Sequence, residues 1–561
     1  MTASAVIPPA AALIVGGLIL PLLHERLRQL ALLVLPLVTL YLVWQVPDGV
    51  ALEGHFLGYT LALVKGDALS RLFATIFAVM AFAGGLFALN QRNTVELAAS
   101  SCYAGSAIGV TFAGDLLTLF IFWELMAIAS TLVVWSQGQS ARGAGLRYAA
   151  IHLLGGVVLM AGITGEITAT GSPAFGALAL DSMPRWLILA GFLLNAGAPP
   201  LSAWLPDAYP ESSWSGMVVL SAFTTKTAVY VLLRGFPGAE LLIYVGLFMV
   251  FYGIVYAILE NDMRRILAYS IVNQVGFMVT GIGIGTEMAL NGAAAHAFAH
   301  IIYKALLLMS AGSVLFMTGK RKCTDLGGLF RTMPFTTICG IVGALSISSF
   351  PLTSGFVTKS MISEAAGMQH LEVVWYLLAA ASAGVFLHAG IKFPWFVFFQ
   401  KDSGLRPDDP PWNMRAAMVF FAVLCIGLGI APGPLYAILP HPVAFVPYTG
   451  SHVVFYLQLL LFSGLAFFLL LGWLKRTLTI TLDVDWLYRR LVPALGRSLD
   501  RSADVAWNGV VNATALGARG ILEAVRQHHG PEGILARTWP TGRMAFWTTV
   551  MLTAYLVLSY L

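Results

Sequence analysis

Apolar residues fill runs of roughly 18–24 positions along most of this chain, each ending in a short polar stretch. That is the length an α-helix needs to cross a hydrocarbon layer about 30 Å thick. The runs cover residues 8–23, 29–45, 70–90, 97–113, 115–136, 146–170, 186–205, 215–234, 239–258, 263–285, 291–316, 334–367, 373–399, 414–431, 453–474 and 544–561. The pattern predicts an all-α polytopic membrane protein with about 14–16 spans. Three runs carry interruptions, at "SSFPLTSGFVTKS", "AGAPPLSAWLP" and "AGIKFPWF". Unpaired backbone at membrane depth is tolerated only inside protein or along a wet cavity, and broken helices of this kind mark transport sites.

Composition agrees. The 561 residues are 58% hydrophobic and 11% charged, whereas a soluble domain carries about a quarter charged. A soluble enzyme is excluded. The first run, "PPAAALIVGGLILPLL", has no basic region before it and no small-residue cleavage site after it, so it reads as a retained helix. The net charge of +5 forms no basic stripe interleaved with aromatics, and no nucleic-acid partner is expected. Cys102, Cys323, Cys339 and Cys425 are scattered, with no C-x-x-C pair to hold zinc or an iron–sulfur cluster. No Gly-rich phosphate loop precedes a helix. No cofactor is expected.

Placement of charge suggests an orientation. Loops alternate between Arg/Lys-rich ("HERLR", "SARGAGLR", "NDMRR", "GKRKCTDLGGLFR", "KDSGLRPDDPPWNMR") and Arg/Lys-poor. By the positive-inside rule the rich loops face the cytoplasm and the amino terminus lies outside, in a cell inner (plasma) membrane. After residue 474 the texture changes. Apolar residues mix with Asp485, Arg489, Arg490, Arg497, Arg501 and Arg526 at near-helical spacing, as in an amphipathic segment lying along a membrane surface or against partner subunits. The last run, 544–561, anchors it.

Ionisable groups inside apolar runs cost about 2.5–3.5 kcal/mol each on insertion scales, so each demands a reason. Glu124 stands in "LLTLFIFWELMAIASTLVVW"; a carboxylate desolvated there exchanges protons more readily near neutral pH. Lys226 stands in "VVLSAFTTKTAVYVLL", too deep to reach water by extending its side chain. His296, His300 and Lys304, at i, i+4 and i+8 in "HAFAHIIYKALLLMSAG", share one helix face. Two histidines so spaced suit a metal, but no carboxylate or cysteine accompanies them and a lysine one turn on repels a cation. A chain of titratable groups suits proton passage instead. His388 and Lys392 repeat the spacing, with Pro394 expected to break the helix after the lysine. Lys359, beside the 351–355 interruption, also reads as an ordinary end-of-helix charge, and His152 as a packing histidine.

Six ordered stretches, "FWELM", "WLPDAYPE", "TKTAVYVLLR", "MRRILAYSIVNQVGFM", "HAFAHIIYKALLLMSAGSV" and "PLTSGFVTKS", resemble the proton-conducting antiporter-like superfamily of Mrp-type cation/proton antiporters and complex I membrane-arm subunits. The length and layout look most like the D-type subunit of the Mrp antiporters. The resemblance implies two inverted five-helix repeats, each with a broken helix, around a central polar axis. It implies a division into 1–95 (N-terminal helices), 96–236 and 237–431 (the two repeats), 432–474 (a further helix), 475–543 (a lateral segment) and 544–561 (the anchor). Carried over by position, Glu124 matches the helix glutamate, Lys226 the first-repeat lysine, His300 and Lys304 the second polar face, and Lys392 the lysine of the second broken helix. Asn195 departs: nine residues before the Trp of "WLPDA" the family usually places a lysine paired to the glutamate.

The function these readings imply is proton translocation through a buried Glu/Lys/His relay, inside a multisubunit Na+/proton antiporter and beside its other subunits. Two alternatives stay open: the same relay in a complex I-like, hydrogenase-like or inorganic-carbon-uptake assembly, or a transport-silent scaffold.

Overall fold

The computed structural model describes residues 6–473 and 483–561, so the first part of the amphipathic segment, 475–482, lies outside the described residues. The chain divides into two compact units, Met1–Asp485 and Trp486–Leu561.

The first unit opens with α1 (Pro9–Ile19) and α2 (Glu25–Gln45), then β1 (Gly49–Phe56) and β2 (Tyr59–Gly66), which pair as an antiparallel hairpin. The apolar pattern left this segment as a loop. Its two-residue turn, Leu57–Gly58, has both residues at positive φ (50° and 83°), the geometry that suits a right-twisted hairpin, and Leu57 disguises a position usually held by Asn or Asp. There follow α3 (Ala68–Phe87), α4 (Thr94–Phe112), α5 (Leu116–Trp135) and α6 (Gln139–Thr170). Acidic caps set where spans begin: Asp67 accepts from the Ser70 amide at 2.8 Å and Asp115 from the Thr118 amide at 2.8 Å.

Next come α7 (Met183–Ala196), a short α8 (Trp204–Ala208), and α9 (Gly216–Leu220) with α10 (Thr224–Gly235). The interruption expected at "AGAPPLSAWLP" is present between α7 and α8, where Gly197 takes φ 79°. A second, unforeseen one separates α9 from α10 at residues 221–223. The remaining helices of this unit are α11 (Leu241–Leu259), α12 (Met263–Ile284), α13 (Glu287–Thr318), α14 (Pro334–Ile347), α15 (Ser354–Met368), α16 (Glu372–Val385), α17 (Trp412–Ile430), α18 (Gly433–Tyr436) and α19 (Gly450–Leu469). α14 and α15 are parted at 348–353, as "SSFPLTSGF" implied, with Ser349 and Leu352 at positive φ.

Pro394 corrects the sequence reading. The helix does not break there: π-helical turns at Phe386–Lys392 and Trp395–Phe399 carry it onward. A π turn shifts backbone pairing by one residue, which absorbs the missing proline N–H that would interrupt an α-helix.

Among the described residues, eleven helices are long and apolar enough to cross a membrane, and three shorter apolar helices accompany them. The segment over α9–α10 and helix α12 are wholly enclosed by their neighbours, so the polar side chains they carry point into protein. α11 and α12 meet backbone to backbone. A Cβ at Gly276 would lie 2.6 Å from the Gly246 carbonyl, and one at Gly253 2.6 Å from that of Tyr269. Small residues of this kind let membrane helices approach closely. The second unit holds α20 (Val492–His529), a single 38-residue amphipathic helix, and α21 (Thr541–Tyr560).

Candidate functional site

Four helices carry the buried lysines, and each lysine is held by main-chain carbonyls. Lys226, on the first turn of α10, donates to the Ser221 carbonyl freed by the helix break (2.7 Å) and sits 3.1 Å from the Thr225 hydroxyl. Lys359 on α15 does likewise at the other break, reaching the Ile347 carbonyl that ends α14 (3.2 Å) while lying 4.7 Å over the Phe277 ring. Lys304 on α13 donates to the Leu267 carbonyl of α12 (3.2 Å). Lys392 reaches across to the C-terminal end of α11, donating to the carbonyls of Ala257 (3.1 Å), Ile258 and Glu260. The freed carbonyls near Lys392 thus belong to a neighbouring helix, not to a break in its own. A cation at a helix C-terminus also meets the negative end of the helix dipole. Among the described residues no ion pair joins any of these lysines to a carboxylate.

The histidines fill the gaps between lysines. His296 lies 3.3 Å from the Thr358 hydroxyl through Nδ1 and 3.2 Å from Gln274 Oε1 through Nε2. The Tyr303 hydroxyl donates to the same Gln274 oxygen at 3.0 Å. The His300 ring is 6.2 Å from that of His296, and neither of its nitrogens has a hydrogen-bond partner among the described residues. His388 shares a hydrogen bond with the Gly384 carbonyl through Nδ1 (2.9 Å), and its buried Nε2 has no partner among the described residues. Lys226, Lys304 and Lys359 all stand within electrostatic range of His300; Lys304, Lys359 and Lys392 do so for His388. From Lys226 to Lys392 the groups therefore form one electrostatically connected row.

Glu124 is different. It is half-buried on α5, and its buried Oε1 faces Gly156 of α6, where an added Cβ would lie 2.2 Å away; that oxygen has no hydrogen-bond partner among the described residues. No cation among the described residues acts on it. Asn195, buried at the end of α7, has no hydrogen-bond partner for either amide atom among the described residues.

Between Glu124 and Lys226 lies a cluster that the sequence reading passed over. His152, one turn before Gly156, stacks on Tyr148 (ring centroids 4.0 Å apart) and meets Trp204 edge-on at 4.6 Å. The Tyr148 hydroxyl donates to Ser130 (2.9 Å), and Tyr103 shares a 2.6 Å hydrogen bond with Thr224, two residues from Lys226. Lys359, Gln274 and His152 were also undervalued from sequence. The available signals were a lysine beside a helix interruption and polar residues inside otherwise apolar helices.

Arginines near the helix ends are paired with acids. Arg147 grips Asp207 with two bonds (2.7 and 2.9 Å), and Arg321 reaches Asp262 (2.8 Å) and Glu211 (2.9 Å). At Arg/Lys-poor loops, Arg71, Arg185 and Arg234 are each neutralised by an acid: Asp48, Glu166 with Asp181, and Asp67. Among the described residues no group of three or more His, Cys, Asp or Glu side chains is gathered to hold a metal.

Comparison with known proteins follows the same lines. The pattern of the family described as "NADH:quinone oxidoreductase/Mrp antiporter, TM" matches residues 113–387. A probable K(+)/H(+) antiporter component of Rhizobium meliloti, of A/B type, is 29% identical over 411 residues, 67% of this chain, which spans 40% of that protein's length. An uncharacterized protein of Mycobacterium tuberculosis is 30% identical over 440 residues (68% of this chain, 69% of that one). The D-type subunit of the Na(+)/H(+) antiporter of Alkalihalophilus pseudofirmus is 28% identical over 428 residues (70% and 83%). The fold is shared with a chain of the Mrp complex from Dietzia sp. (TM-score 0.70, 19% identity, 78% of this chain and 96% of that one). It is shared with a chain of respiratory complex I from Thermus thermophilus (0.69, 22%, 81% and 99%). A chain of the archaeal membrane-bound sulfane sulfur reductase matches throughout, C-terminal helices included (0.70, 22%, 99% and 100%). The chain belongs to the NADH:quinone oxidoreductase/Mrp antiporter transmembrane family, as a multi-pass membrane subunit of antiporter type.

Proposed function

We propose that this chain translocates protons within a multisubunit monovalent cation (Na+)/proton antiporter of the plasma membrane, working beside other subunits, with its amino terminus outside. The supporting observation is the buried row Lys226–His300–Lys304–His388–Lys392, in which each group stands within reach of the next one's charge. At the 6.2 Å separating the His296 and His300 rings, a unit charge in a medium of effective dielectric about 20 is worth about 3 kcal/mol. A proton arriving on one group thus weakens its neighbour's hold by about a hundredfold, enough to drive stepwise transfer. Orphaned polar atoms at His300 and His388 supply the points where water joins the row. The likeness to the D-type subunit of a Na(+)/H(+) antiporter supports sodium as the exchanged ion.

A second reading, the same relay in a redox-driven membrane complex, is favoured by one observation. The sulfane sulfur reductase chain matches 99% of this chain, against 78% for the Mrp chain. Purification of the intact complex separates the two: a co-purifying flavin or iron–sulfur protein ends the antiporter reading. Within either, Lys392→Ala is expected to abolish proton movement in inverted vesicles while the complex still assembles. Wild-type proton movement in this variant would overturn the relay.

A further inference from the structure

The row does not end at Lys392. The Glu260 carbonyl accepts from the Lys392 ammonium, and the carboxylate of the same residue accepts from Arg265 Nε at 2.8 Å. Arg265 Nη2 stands 3.5 Å from the Tyr269 hydroxyl, which donates to Asp483 Oδ2 at 2.7 Å. A second hydroxyl, that of Tyr252, donates to the same oxygen at 2.6 Å. Asp483 is 6% exposed, and it comes from 214 residues further along the chain than Tyr269. Nothing in the relay described above uses it.

Two hydroxyls on one oxygen of a buried carboxylate are more than a tether needs. We propose that Asp483 is the terminal proton acceptor of the relay, at the face that carries the "NDMRR" loop. This rests on the proton-relay reading above. When Lys392 releases its proton, the ammonium becomes a neutral amine and the proton goes to the Glu260 carboxylate, which stands within electrostatic range of both Lys392 and Tyr269. The Tyr269 hydroxyl then hands its own proton to Asp483 Oδ2 as it takes the one held by Glu260, so the tyrosine and Glu260 end as they began and Asp483 goes from carboxylate to neutral acid. Arg265 keeps its own proton throughout, as guanidinium does. Its guanidinium stays in place between Glu260, which it meets through Nε, and the Tyr269 hydroxyl beside Nη2. Tyr269 lies on the path and Tyr252 only on the carboxylate.

That difference makes the proposal testable in the full chain within its assembled complex, by proton movement in inverted vesicles. Asp483→Asn keeps an oxygen to accept from the tyrosines but cannot carry a proton; its rate is expected to fall about tenfold or more, with assembly intact and Asp483→Glu restoring transport. Tyr269→Phe, which removes a hydroxyl on the path, is expected to slow transport several-fold more than Tyr252→Phe, which removes a hydroxyl bonded to the acceptor alone. Equal losses from the two tyrosine variants, or wild-type rates in Asp483→Asn, would reduce Asp483 to a tether and overturn the proposal. Lys392→Ala in the same preparation separates the levels. If it alone abolishes transport, the exit is wrong and the relay stands; if it too is silent, the relay reading has failed.

Discussion

Region 94–235, with Glu124 and Lys226, and region 241–399, with the histidines and three further lysines, solve the cost of buried charge differently. In the second region each buried lysine donates to a main-chain carbonyl, at a helix end, at a helix break or within the neighbouring helix, and the charges lie close enough to feel one another. In the first, Glu124 sits against a glycine with no cation among the described residues acting on it, and Asn195 stands where a lysine is expected by resemblance. The groups described between Glu124 and Lys226 are hydroxyls, His152 and aromatic rings. The contrast shows that a charge in an apolar helix is not by itself a relay element. Coupling requires that the next charge be within range, since interaction falls with distance while desolvation does not.

Three substitutions test that contrast, in order of expected effect. Lys304→Met removes one of the two lysine charges, with Lys359, felt by both His300 and His388, and proton movement in vesicles should fall by about a hundredfold or more. Glu124→Gln should cost far less, about tenfold, because no partner depends on its charge; a loss as large as that of Lys304→Met would show the two regions to be equally coupled. Asn195→Lys should raise the rate by a few-fold if the missing cation is what isolates Glu124, and an unchanged or lower rate would locate the weakness elsewhere. A fourth, Gly156→Ala, acts only through packing. Its Cβ would lie 2.2 Å from Glu124 Oε1, forcing the carboxylate aside at a cost of about 1 kcal/mol, read as a small drop in the detergent melting temperature.

Part of the site was legible from composition alone. Glu124, Lys226, His300, Lys304 and Lys392 stand out as ionisable residues in apolar runs, and the breaks at 197–203 and 348–353 follow from their Pro, Gly and Ser content. Other features were not. Lys359 looked like a helix-end charge, yet it is buried over Phe277 beside the break. The interruption at 221–223 carries neither proline nor glycine. Pro394, which should have broken its helix, is absorbed by π turns because the surrounding helices hold the segment in place.

What the residue order by itself determined is the solvent. Runs too apolar for water dictate helices that satisfy their own backbone, and any charge left among them must face protein. What only the tertiary structure decided is which groups meet. Asp483 and Tyr269 are 214 residues apart, and Lys392 finds its acceptors on a helix more than a hundred residues earlier. Local sequence sets the cost of burying a charge, but the partner that offsets the cost comes from wherever the fold closes, and distance in space is not written in distance along the chain.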